Sequence, residues 1–420
     1  MQINSVIKNL AILASGTALA QVINFCFVPV ITRLYGPDAY GMMGGFMAIV
    51  NILIPISALS YPIAIVLPKH DMLANRIASL SVLIGVFWAV VLLVLIIINN
   101  IFDFSIAKYP LWYILLLPLV TIFLPFQQIG QQWLIRKREY KSIAKISFFQ
   151  AIVINILRTS GGLIFASAKT LVIMTALGVV FQAGQFYYRS IKTGIKFDWR
   201  RLSRARVMDT SRIFYDFPIY RTPQVLVNAI SQSLPVFILG FFFGTTVVGY
   251  YVLAQTLLTA PVTLLSTSIS NIFYPSIVAR ISNNMNVRNY LLKAIGSLFT
   301  ISCIIYVPLI FLATKLFEFA FGATWIQAGE FAEWMAIYCI FWLSARPAMD
   351  TIPPLKIQKY FLIYEIISFA ARGSSLALGY YFYKSPIACI ALYSLVNGLS
   401  YASLIFFVAK RAGNNDKKTI

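Results

Sequence analysis

The sequence predicts an all-α integral membrane protein whose twelve transmembrane helices form two six-helix halves. Three observations lead there. Of 420 residues, 60% are hydrophobic and only 11% are charged, which is more apolar surface than a soluble fold of this length buries. Apolar runs recur along the chain, each near the roughly 20 residues that a helix needs to cross a hydrocarbon core of about 30 Å. The basic residues are shared unequally between the two alternating sets of connecting segments, as they are when one set faces the cytoplasm. A transmembrane barrel would show short alternating strands instead, whereas "SVLIGVFWAVVLLVLIII" is apolar all round.

The first six runs cover residues 10–32, 39–67, 77–98, 110–134, 144–166 and 169–188. The second six cover 217–242, 245–273, 290–313, 326–348, 359–383 and 386–409. The start resembles a secretory signal, with "NLAILASGTALA" after Lys8 and Ala18 and Ala20 at cleavage spacing. The apolar run continues to Arg33, however. That is long enough to span and too long for a signal core, so it is read as an uncleaved first span. The halves are an N-lobe over 1–188 and a C-lobe over 217–420, joined by a basic cytoplasmic linker at 189–216. Within the linker, "RSIKTGIKFDWRRLSRARVMDTSR" is expected to lie partly as a helix on the cytoplasmic leaflet and to tether the halves.

With the N-terminus inside, 26 of the 34 lysines and arginines fall in cytoplasmic segments, five fall on the opposite side and three lie inside spans. Both termini are therefore expected in the cytoplasm. The net charge of +21 then reports topology and contact with anionic membrane lipids. It does not indicate nucleic-acid binding, because no compact basic domain exists.

Several chemistries are excluded. "GGLIFASAKT" lacks a glycine before Lys169, so it cannot form the backbone cradle of a phosphate loop. Cys26, Cys303, Cys339 and Cys389 are scattered through separate spans and suggest neither a disulfide framework nor a metal site. The single histidine, His70, sits in the turn "PKHDM". The far-side loops are short, so no catalytic domain folds there. The chain is not expected to be an enzyme or to hold a cofactor.

Charges inside the spans carry more information, because each costs at least about 2.5 kcal/mol to place in hydrocarbon. Arg158 lies in the fifth span, Arg221 about one turn inside the seventh and Arg372 in the middle of the eleventh. Asp216 and Glu365 lie toward cytoplasmic ends and Glu333 toward an outer one. A guanidinium grips phosphate oxygens with two prongs and stays charged, so arginines facing a cavity suit an anionic lipid-linked substrate. The alternative is internal pairing, of Glu365 with Arg372 two turns away, and of Asp216 with Arg221 across a helix end. In "FQQIGQQWLIRKREY", Gln128 and Gln132 share one helix face and Gln127 and Gln131 the neighbouring one. These amides serve either sugar hydroxyls or an interhelical seam. Further polar positions, among them Asn24, Gln150, Gln182, Asn228 and Gln232, give both halves a polar interior.

The loop "RLYGPDAYG" at 33–41 has an echo in "FFFGTTVVG" at 241–249. Setting Gly36 on Gly244 and Gly41 on Gly249 places the first span over the seventh and the second over the eighth. Each half then holds six spans, an even number. Both halves therefore run in the same direction, related by an axis along the membrane normal with a cavity between them.

The segments "LYGPDAYG", "QQWLIRKREYKSIAKI" and "DFPIYRTPQVLVNAISQSLPVFILGFFFGTTVVGYYVLAQTLLTAPVTLLSTSISNIFYPSI" resemble the Wzx-type polysaccharide transporters. That family belongs to the MOP, or MATE-like, superfamily, together with drug extruders and lipid II flippases. The resemblance covers essentially the whole chain and is most specific at Phe217-Pro218, Asn228, Pro235, Gly249-Tyr250, Pro261 and Pro275. It implies a flippase in a bacterial inner membrane. The cargo would be undecaprenyl-pyrophosphate-linked oligosaccharide units for O-antigen or a related glycan, moved to the periplasmic leaflet by alternating access. Arg221, Arg372, Arg158, Gln128, Gln132 and Asn228 are the expected substrate-binding residues. Asp216 and Glu365 are the carboxylates available for H+ or Na+ coupling, and a glycan polymerase complex is a candidate partner. The first span lacks the acidic residue usual in extruders, and the first two spans lack the interior arginines of lipid II flippases. An ion-coupled multidrug extruder and a membrane glycan polymerase are the alternatives.

Overall fold

A computed structural model describes residues 2–102, 109–197, 204–283 and 285–418. Of the basic residues used for orientation, Lys108, Arg200 and Arg201 lie outside the described residues, as do the side chains of Lys8, Arg204, Arg206, Lys417 and Lys418. Among the described residues the regular structure is helical, without a strand. Among the described residues ten helices are long and apolar enough to cross a membrane, and the chain is a multi-pass membrane protein. It divides into two compact units, residues 1–35 with 42–234, and residues 36–41 with 235–420.

The first unit begins with α1 (Gln2–Ala58), which departs from helical geometry at Gly36, with φ 71° and ψ 175°. The expected loop at 33–41 is therefore a break of a single residue. The residue before a proline is pushed out of the α region, and glycine alone accepts that backbone region without strain. Pro37, which has no N–H to satisfy, restarts the helix. The helix ends at Ala58 rather than continuing to residue 67, because Leu59 and Ser60 take positive φ and Pro62 opens a 3-10 turn over Tyr61–Val66. Helices α2 (Asp71–Phe102), α3 (Leu111–Arg136), α4 (Tyr140–Ile164) and α5 (Ala168–Lys192) follow. Ser167 caps α5, its Oγ accepting from the Thr170 N–H at 3.2 Å. The 3-10 turn packs between α2 and α3, where Tyr61, Ile65, Ile77 and Trp133 form an apolar cluster with Ile195 and Phe214. In the linker, α6 (Arg204–Ile213) is helical and packs against α2. A π turn at Phe217–Arg221 leads into α7 (Thr222–Phe243).

The second unit contains α8 (Thr245–Ser282), α9 (Val287–Phe321), α10 (Ile326–Ser344), the short α11 (Arg346–Thr351), α12 (Gln358–Tyr383) and α13 (Pro386–Lys418). Helix α10 is its centre and packs against α8, α9 and α13, with Phe331, Met335, Cys339 and Leu343 fully enclosed. It falls outside the ten apolar helices for a physical reason. A helix surrounded by protein need not be apolar all round, and the Glu333 Oε1 of α10 accepts from the Thr314 N–H of α9 at 3.2 Å.

Gly244, which precedes α8, has φ 87° and ψ 178°, nearly the backbone of Gly36. Residues 36–41 lie against the start of α8. Gly41 approaches Thr245 and Gly249, and Gly249 approaches Pro37. The Thr245 hydroxyl bonds the Asp38 carboxylate. The two echoed segments are thus in backbone contact, which only residues without a side chain permit.

Candidate functional site

The start of α7 sets a polar row into an apolar helix. Pro218 removes one amide from the first turn, and the Thr222 N–H reaches back five residues to the Phe217 carbonyl, giving the widened π geometry often found at functional positions. Thr222, which is buried, braces this turn. Its Oγ1 lies 3.1 Å from both the Phe217 carbonyl oxygen and the Ser60 Oγ.

Arg221 ends the turn, and Nη1 donates to Gln224 Oε1 at 3.0 Å. One turn on, Gln232 Nε2 donates to Asn228 Oδ1 at 2.8 Å. The spacing from 221 to 224, 228 and 232 keeps all four on one helix face. All four are exposed, although residues 217–243 are apolar enough to span a membrane. The sequence pointed to Arg221, Asn228 and Gln232. It missed Gln224, whose signal is its position three residues after an intramembrane arginine.

Arg372 of α12 is only 8% exposed. Its guanidinium carbon stands 5.8 Å from the centre of the Tyr401 ring on α13, within cation–π range. Glu365, Tyr364 and Tyr393 are within electrostatic reach. Trp342 of α10 stacks on Tyr401, and Tyr338 meets Tyr393 edge-on. Asn397 on the same helix as Tyr393 donates to that residue's carbonyl at 2.9 Å. The result is a buried cation in an aromatic cage. The Glu365 carboxylate shares this region, as its spacing allows.

Arg158 is held differently. Its Nε donates to Thr175 Oγ1 of α5 at 3.2 Å, and the Tyr35 hydroxyl donates to the Arg158 carbonyl at 2.7 Å. The α3 amides join helices. Gln128 Nε2 bonds the Ile54 carbonyl at 3.0 Å and Ser57 Oγ at 3.1 Å, and Gln127 Nε2 bonds Gln182 Oε1 at 3.0 Å. Gln132 is half-buried. Asn155, a position not singled out in the sequence, is buried and bonds Asn24 Oδ1 at 2.7 Å. Asp216 is exposed at the head of the π turn.

Ion pairs at helix ends include Arg136–Asp71 at 3.0 Å, Lys137–Asp71 at 2.6 Å and Arg189–Glu139 at 3.0 Å. Hydrogen bonds from Ser142 and Arg189 hold the Glu139 carboxyl below its ordinary range. Among the described residues, no group of three or more His, Cys, Asp or Glu is placed to hold a metal.

Residues 30–330 match the family described as "Polysaccharide biosynthesis protein". Teichuronic acid biosynthesis protein TuaB of Bacillus subtilis (strain 168) is 20% identical over 243 residues, 56% of this chain. The match spans about half, 48%, of that curated relative's length. Lipid II flippase MurJ in an inward closed conformation superposes with a TM-score of 0.72 at 17% identity, covering 97% of this chain and 90% of that one. An inward-facing multidrug resistance MATE family transporter of the MOP superfamily gives 0.73 at 14% identity, covering 98% and 99%. These structural neighbours are transporters and flippases rather than enzymes, and at such identities the likeness is one of fold. The chain belongs to the polysaccharide biosynthesis protein family and has the helical fold of the MOP superfamily transporters.

Proposed function

We propose that this protein is a flippase for undecaprenyl-pyrophosphate-linked oligosaccharide units, working by alternating access in a bacterial inner membrane to supply O-antigen or a related surface glycan. The observation that carries the reading is the exposed polar row on α7. A lipid-facing arginine would cost at least about 2.5 kcal/mol, and three exposed amides would add to that. The row therefore lines an aqueous path. Arg221 takes pyrophosphate oxygens in its fork, and Gln224, Asn228 and Gln232 take sugar hydroxyls, which suits a substrate with an anionic head and a hydroxyl-rich chain.

Dividing α1 at Gly36 and adding α10 to the apolar helices gives twelve spans, arranged as lobes 1–188 and 217–420 with both termini in the cytoplasm. Arg372 supplies a second positive site, and Glu365 and Asp216 are the groups for ion coupling. Arg158, Gln128 and Gln132 complete the polar interior of the N-lobe.

The test is complementation of a host lacking the gene. Arg221→Ala is expected to abolish surface glycan while the protein inserts at its normal level, and Arg372→Ala to do the same. Full glycan display by Arg221→Ala would remove the substrate role from α7.

A further inference from the structure

Two turns meet at one end of the first unit, the one joining α1 to α2 and the one joining α3 to α4. A cavity of about 420 Å³ lies there, with Lys69, Asp71, Arg136, Lys137, Arg138 and Tyr140 in its lining. Four of these side chains are cationic and one is anionic.

The geometry separates latch from ligand site. Arg136 is fully engaged. Its Nε and Nη2 bond Asp71 Oδ1 at 3.1 and 3.0 Å, and Nη1 and Nη2 bond the Ile65 and Lys69 carbonyls at 3.1 and 3.3 Å. Nη1 also bonds the Pro68 carbonyl. It thereby fixes the α1–α2 turn against the end of α3. Lys137 Nζ takes the other Asp71 oxygen at 2.6 Å and lies 5.0 Å from the centre of the Trp133 ring. One carboxylate is thus shared by two cations, and Lys69 and Arg138, both exposed, add two positive charges at the rim.

Arg138 carries a further sign of use. Its φ is 58°, a left-handed conformation that glycine or asparagine adopts with less strain. Such outliers cluster where a side chain has a task. The surroundings have a second character. Val66, in the cavity lining, and Leu67 and Met72, near it in sequence in the turn and in the first turn of α2, are exposed apolar side chains. A cationic recess next to exposed apolar groups, at the end of the spans that the charge asymmetry assigns to the cytoplasm, matches one ligand chemistry.

We propose that this cavity binds the phosphate of an anionic phospholipid in the cytoplasmic leaflet, with Lys69, Lys137 and Arg138 on the phosphate oxygens and the acyl chains against Val66, Leu67 and Met72. The lining contains no residue of the α7 row, and the proposal stands whether or not the chain moves a glycolipid.

The test uses the purified full-length protein in neutral detergent, titrated with phosphatidylglycerol and with phosphatidylcholine and read by native mass spectrometry. The wild type is expected to retain phosphatidylglycerol preferentially. The pair Lys69→Gln and Arg138→Gly should weaken that retention about 25-fold, or about fivefold for each charge removed. Because Arg138→Gly relieves a left-handed residue, its melting temperature should match or exceed that of the wild type. If it falls, Lys69→Glu alone decides, with the same 25-fold loss expected for two units of charge. Unchanged retention in the deciding variant overturns the proposal. So does equal retention of phosphatidylglycerol and phosphatidylcholine by the wild type, since the cavity would then make no use of the anionic head.

Discussion

Gly41 and Gly249 meet backbone to backbone. A methyl group on Gly41 would stand 2.8 Å from the Gly249 nitrogen, and one on Gly249 would stand 3.1 Å from the Gly41 nitrogen, with closer approaches to Thr245 and Pro37. The obstructing atoms are backbone and cannot rotate away. Gly41→Ala and Gly249→Ala should each destabilise the protein by about 1–3 kcal/mol, the usual range for overpacking. Gly184, which has open space around it, is the control. Thermal unfolding in detergent should show both crossing variants melting well below the wild type and Gly184→Ala melting at or above it.

Two arginines of the first unit that lie within spans, Arg221 and Arg158, should respond differently. Arg221 is exposed and, among the described residues, its hydrogen bond stays within its own helix row, so Arg221→Ala should change stability by no more than about 0.5 kcal/mol while glycan export is lost. Arg158 links α4 to Thr175 of α5. The Thr175 hydroxyl keeps its bond to the Leu171 carbonyl at 2.7 Å, so Arg158→Ala should lower stability by the net worth of one interhelical hydrogen bond, about 0.5–1.5 kcal/mol. Melting temperature and surface glycan, measured on the same membranes, separate the two.

The membrane class, the helical spans and the paired glycine segments were legible in the sequence because hydropathy and glycine placement are local signals. The continuity of α1 through Arg33–Gly41 was not, since polar residues there read as a turn while the backbone breaks only at Gly36. Gln128 read equally well as a sugar ligand or a seam. Only three-dimensional placement shows its bonds to Ile54 and Ser57. The Arg136 latch was hidden for the same reason, because beside Asp71 its acceptors are the Ile65, Pro68 and Lys69 carbonyls about 70 residues away, and carbonyls leave no mark in composition.

Glu139 gives a pH signature outside the spans. Its carboxyl lies below the ordinary 4.5 because Ser142 donates to it at 2.7 Å and Arg189 at 3.0 Å. A depressed carboxyl stabilises the fold above its unfolded pKa, and that contribution fades as pH falls through 4.5 and below. Both partners are more than a third exposed, which limits the gain to under about 1 kcal/mol. The wild type should melt slightly above Glu139→Gln at pH 7, and the gap should close toward pH 3. A gap that holds constant with pH would assign the difference to packing.

The central claim, transport of a lipid-linked glycan across the bilayer, is tested most directly by leaflet location. In cells depleted of this protein, lipid-linked repeat units should accumulate where a lectin or a glycosidase reaches them only from the cytoplasmic face of inverted vesicles. Restoring the wild-type chain, but not Arg221→Ala, should move them to the periplasmic face. Repeat units already accessible from the periplasm in depleted cells would contradict the account.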